Sequence, residues 1–98
     1  MNVGVGRHVY KAVLTCSGIP HCQGAEAAAD IAREFVEQRS WHKNVRCIWD
    51  GEQLILEAEN DYDPEGKALA DEFSDCVSAF VAGTFGYQIA VESVIQCS

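Results

Sequence analysis

Val45-Arg46-Cys47-Ile48-Trp49-Asp50-Gly51-Glu52-Gln53-Leu54-Ile55-Leu56-Glu57-Ala58 reads as two short strands joined at Asp50-Gly51. Polar and apolar residues alternate on both sides of the junction, the period of a half-buried strand. Asp-Gly suits a two-residue type I′ turn, which needs positive φ at both central positions. Such a turn pairs Trp49 with Glu52, Cys47 with Leu54 and Val45 with Leu56. One face of the hairpin then carries Val45, Cys47, Trp49, Leu54, Leu56 and Ala58, and this face is assigned to the core. The other carries Arg46, Ile48, Gln53, Ile55 and Glu57.

Each side of this hairpin continues into a helical pattern. From Gln23, apolar Ala28, Ile31, Ala32, Phe35 and Val36 recur with the period of a helix, and charged residues take the opposite side. A β-rich run from Arg7 to Cys16 precedes it and stops at Ser17-Gly18-Ile19-Pro20. On the other side, Asp63 is expected to cap a second helix with Pro64 at its first position. Leu69, Phe73, Cys76, Val77 and Phe80 form its apolar stripe, and Gly83 suits its C-cap. A last strand spans Tyr87 to Ile95, with Tyr87, Ile89 and Val91 inward and Gln88, Ala90 and Glu92 outward.

The order β-α-β-β-α-β predicts an α+β ferredoxin-like sandwich: a four-stranded antiparallel sheet with two helices on one face. Right-handed crossovers put strands one and three in the centre and strands four and two at the edges. The whole chain, residues 1–98, is read as one domain with a flexible lead over 1–6. At this length about 64% of the extended-chain surface is buried on folding, enough for a core without staples.

Composition narrows the function classes. Fifteen acids against seven bases give a formal charge of −8. That disfavours nucleic acid and anionic membranes as partners, since both are held through Lys and Arg. No run is long and apolar enough for a membrane span, and no signal arrangement opens the chain, so a cytoplasmic protein is expected. P-loop, G-x-G-x-x-G, G-x-S-x-G and H-E-x-x-H motifs are absent, and no cofactor is expected.

The five cysteines at 16, 22, 47, 76 and 97 are an odd set in a chain that needs no disulfide framework. Cys47 and Cys76 fall on core faces by periodicity. Cys16, His21 and Cys22, between the first strand and first helix, are the candidates for chemistry. A thiol near a helix N-terminus has a lowered pKa, so Cys22 is a candidate nucleophile or redox thiol, with His21 beside it. Thr15-Cys16 resembles the opening of the metal motif in the heavy-metal-associated domains of copper chaperones, which implies soft-metal binding by Cys16 and Cys22; His21 is a candidate third ligand of a Cys₂His site. The spacing here is C-x5-C where that family has C-x-x-C, and Leu14 stands where it has Met. Asp61 to Glu72 is similar to a calcium loop in the placing of its acids, but it overlaps the start of the second helix. His8 and His42 fall at element ends and are expected to be exposed, and Trp41 and Trp49 to anchor the edge of the core.

The helix-free side of the sheet is the remaining candidate. Aliphatic and charged residues mix there, as on surfaces that bind a partner. Lys11, Val13, Arg46, Ile48, Ile55, Glu57, Ala90 and Glu92 are its expected binding residues, with Lys11 flanked by Glu57 and Glu92. The leading expectation is a non-enzymatic homodimer that binds a partner protein or small ligand through this face. Thiol-based redox or soft-metal binding is the alternative, and an acidic patch from Glu57 to Glu65 that meets a basic partner is a third.

Overall fold

A computed structural model describes residues 9–81 and 86–97. Its elements are β1 (Val9–Ser17), α1 (His21–Gln38), β2 (Lys43–Trp49), β3 (Leu54–Asn60), α2 (Lys67–Phe80) and β4 (Gln88–Cys97). The strands form one antiparallel sheet in the order β2-β3-β1-β4. The chain is thus an α+β ferredoxin-like sandwich, with β1 and β3 central. The expected lead over 1–6, His8 and the Gly83 cap lie outside the described residues.

Alternation places Ala12, Leu14 and Cys16 of β1, Cys47 of β2 and Leu54, Leu56 and Ala58 of β3 on the helix-covered side. Ile31 and Phe35 of α1 meet them, as do Leu69, Phe73, Cys76 and Val77 of α2. α1 carries a glycine in its second turn for a packing reason. A Cβ on Gly24 would enter the space occupied by Trp49 Cδ2, Cε2 and Cε3. The indole lies flat against bare helix backbone, with the His21 ring edge-on at 5.7 Å between centroids.

The hairpin forms in a different register from the expected one. Trp49 pairs with Leu54, Ile48 with Ile55, Cys47 with Leu56 and Arg46 with Glu57. The connection is a four-residue loop rather than a two-residue turn. Asp50 Oδ1 accepts the backbone N–H groups of Glu52 and Gln53, both at 2.8 Å, and Asp50 N–H donates to Gln53 O at 3.1 Å. Those N–H donors, Gln53 first and then Glu52, hold the Asp50 carboxyl below its ordinary range. The slip is two residues, so every side chain still in the ladder keeps its face. Only Gln53 leaves the open face, for the loop.

α2 begins at Lys67 rather than Pro64. Gly66 precedes it with φ +75°, and a Cβ there would sit 3.1 Å from Val91 Cγ1. Asp63 still caps, but from a distance: its Oδ2 accepts the Leu69 N–H at 3.0 Å. Pro64 therefore belongs to the turn before the helix. The same start position rules out a wrapped calcium loop over 61–72, because Lys67 onward is helix.

β4 departs from simple alternation. Its register against β1 shifts by one between Val13↔Ser93 and Leu14↔Val91, leaving Glu92 as an inserted residue. Up to Val91, odd-numbered residues face the helices. Beyond the bulge Val94 packs on the core, and Ile95 turns to the open side opposite Lys11.

Candidate functional site

The open face forms rows across the strands. Ala90, Thr15, Ile55 and Ile48 make one row in the order β4, β1, β3, β2. Ser93, Val13, Glu57 and Arg46 make the next, and Ile95, Lys11, Glu59 and Lys43 the third. Ile48 is 37% and Ile95 57% exposed, large values for isoleucines on a sheet. All eight expected binding residues lie on this face. Lys11 Nζ approaches Glu57 Oε1 at 3.8 Å. Glu92 does not join that pair, contrary to expectation: the bulge turns it to the Thr15 hydroxyl, which donates to its Oε2 at 2.8 Å. Ile95 takes the place beside Lys11.

The charges on this face balance. Among the described residues, Lys11, Lys43 and Arg46 stand against Glu57, Glu59 and Glu92 on its paired strands, three bases and three acids. These six residues contribute nothing to the formal −8 of the chain.

Cys16, His21 and Cys22 are not brought together. Cys16 is fully buried on the core side of β1, its thiol donating to Ser17 O at 3.8 Å, and burial pushes its pKa to about 11. Cys22 is exposed, and His21 leans on Trp49. Among the described residues no group of three or more His, Cys, Asp or Glu side chains is arranged to hold a metal. Cys47 and Cys76 are buried as expected, with thiols raised by burial to about 12 and about 11. The side chain of Cys97 lies outside the described part.

Sequence reasoning missed one constellation, where the end of α1 meets the β3–α2 connection. His42, expected to be exposed, has a side chain with 0% exposure. Asn60 Oδ1 accepts the N–H groups of Tyr62 and Asp63, at 3.1 and 2.9 Å, which leaves its amide nitrogen to face the imidazole. Asn60 Nδ2 therefore donates to His42 Nδ1 (3.3 Å), and His42 Nε2 donates to Glu72 Oε2 (3.0 Å). Arg39 Nη1 donates to the other Glu72 oxygen at 3.1 Å. Burial works against the guanidinium, but the Glu72 hydrogen bond and neighbouring charges outweigh it and hold its pKa above the ordinary value. Arg39 Nε is buried without a hydrogen-bond partner.

Tyr62, 48% exposed, and Trp41, 50% exposed, flank the imidazole, with centroids 6.1 and 5.9 Å away. Burial, then the charge of Glu72, raises the Tyr62 phenol against an opposing hydrogen bond from Trp41. Trp41 is thus not the core-edge anchor expected of it; Trp49 is. A general acid or base must reach its substrate. His42 has both nitrogens engaged and no exposed surface, so it works as a clasp joining α1, β3 and α2.

Beside the clasp, a recess of about 470 Å³ opens at the end of the sheet, lined by Val9, Trp41, Lys43, Asn44, Glu59, Asn60 and Asp61. No described helix is long and apolar enough to cross a membrane. No protein-family model matches the sequence, and comparison with curated proteins and with solved structures finds no significant match.

Proposed function

We infer that this chain is a non-catalytic module that self-associates through its open sheet face, one copy docking on another. The observation that carries this reading is the charge balance of that face in a chain of net charge −8. Two copies meeting through the helices would bring excess acids together, and like charges across an interface are costly. Two copies meeting sheet to sheet bring equal numbers of acids and bases, with Ile48, Ile55, Val13 and Ala90 between them. A two-fold axis allows Lys11 and Arg46 of one copy to face Glu57 and Glu92 of the other.

The size of the face sets the strength. Four strands at about 4.8 Å spacing and about 25 Å of ladder give a patch near 19 by 25 Å. That is the low end for a specific interface, so a dissociation constant in the micromolar range is expected. The thiol alternative would rest on Cys22 alone, because Cys16 is sealed in the core.

Light scattering after size exclusion tests the reading. At about 100 μM the protein should run as a dimer, Ile48→Asp as a folded monomer, and Val36→Asp, at a 63% exposed position on α1, as a dimer. A wild-type monomer at that concentration, or a dimer that survives Ile48→Asp, would overturn it.

A further inference from the structure

A second copy can meet the open side of the sheet in two symmetric ways, and the rows distinguish them. A two-fold axis across the strands, centred on the middle row, lays each strand on its own counterpart. Arg46 then meets Arg46 and Glu57 meets Glu57, and like charges across an interface are costly. A two-fold axis along the strands, between β1 and β3, keeps each row at its own level and lays β2 of one copy over β4 of the other. No residue then meets its own kind. Lys11 comes over the strand of the other copy that carries Glu57 and Glu59, and Ile48 comes over Ala90. The two sheets stack with their strands nearly aligned, the common packing of a sandwich.

The edge strands supply the reciprocal contact. Arg46 on β2 is exposed and makes no ion pair among the described residues. Glu57 stands opposite it in the ladder, but that carboxylate leans to Lys11 at 3.8 Å. Glu92 on β4 is exposed too, and the bulge holds it on the open side, where it accepts from the neutral Thr15 hydroxyl at 2.8 Å. A base and an acid, neither ion-paired with an opposite charge among the described residues, thus stand on opposite edges of one face. Turning the copy about the strand-parallel axis brings Arg46 over Ser93, the residue next to Glu92. We propose that Arg46 and Glu92 decide which way round the second copy docks: the two-fold axis runs along the strands, and Arg46 of each copy pairs with Glu92 of the other. This rests on self-association through the open face and adds its orientation and its specificity-determining residues.

Charge reversal tested by mixing reads the orientation directly. Sedimentation equilibrium of the full chain over a dilution series gives the dissociation constants. Arg46→Glu and Glu92→Arg should each weaken self-association by roughly tenfold or more, because each sets like charges together twice in a symmetric pair. An equimolar mixture of the two variants should associate within about threefold of the wild type, since both contacts of the mixed pair again join an acid to a base. Restoration by mixing also shows that both variants are folded. Lys11→Glu makes the same charge change as Arg46→Glu, but mixed with Glu92→Arg it should not restore association. A wild-type protein that stays monomeric overturns self-association itself. A wild-type dimer with either variant unweakened, a mixture no tighter than its components, or equal restoration by Lys11→Glu would overturn the orientation alone.

Discussion

Replacing Gly24 by Ala tests how the helical layer meets the sheet. A Gly→Ala change within a helix normally stabilises by up to about 1 kcal/mol, because alanine loses less backbone entropy, and Gly24 is the fourth residue of α1. At this position the new methyl would overlap three atoms of the Trp49 ring, which is held between α1 and the β2–β3 hairpin. Forcing extra volume into a packed site costs roughly 1–3 kcal/mol, and a rigid indole has little freedom to yield, so the upper figure applies. The net is a loss of about 2 kcal/mol. For a domain of this size, that lowers the melting temperature by roughly 8–16 °C. Circular dichroism melts of the wild type, Gly24→Ala, Trp49→Leu and the double variant form a complete cycle. In the Trp49→Leu background the alanine should become stabilising by about 0.5–1 kcal/mol, since the obstacle is gone. A Gly24→Ala protein that melts at or above the wild type, or a methyl whose effect is the same in both backgrounds, would refute the packing argument.

Two further outcomes follow from the core and the caps. The thiols of Cys16, Cys47 and Cys76 titrate at about 11, 12 and 11 in the folded chain against an ordinary 9.0. Folding therefore favours their protonated forms: the contribution is complete below pH 9 and is lost as pH rises toward 11–12, where the unfolded thiols ionise first. Urea midpoints should fall between pH 9 and 11, and Cys47→Ala should flatten part of that slope; an unchanged slope in the variant would refute this. Asp63→Ala removes the acceptor for the Leu69 N–H and should lower stability by about 1 kcal/mol, while Asp63→Asn should retain most of it. Thermal melts that place the two variants together would show that the cap is not what Asp63 supplies.

The architecture was legible because its signals are local and periodic. Two amphipathic stripes around one alternating hairpin define the element order, and an error of two residues in hairpin register left every paired side chain on its expected face. The bulge at Glu92 was not legible. Val91, Val94 and Ile95 fit more than one alternation, and only pairing against β1 reveals the inserted residue. The turn at Asp50 misled for a chemical reason: its carboxylate draws in two backbone N–H groups, which a two-residue turn would not allow. The clasp was invisible for a different reason. His42 meets Asn60 and Glu72 across 18 and 30 residues of sequence, with no motif spacing to connect them. The open face could be read from alternation alone, but its recess could not, because it depends on the left-handed Asn44 and on a tryptophan that periodicity assigns to the core edge.

Both outer strands of the sheet carry a register break, β2 at Asn44 and β4 at Glu92. An uninterrupted edge is a template on which further strands can add without limit, and a misplaced residue spoils the match for an incoming flat strand. With both borders spoiled, lateral growth into fibres is obstructed, and the smooth broad side of the sheet is what is left for meeting another copy. Contact through that side consumes itself: once two molecules are joined, neither has another to offer. On the proposed pairing, the breaks in the outer strands would stop growth at a closed pair instead of an open-ended array.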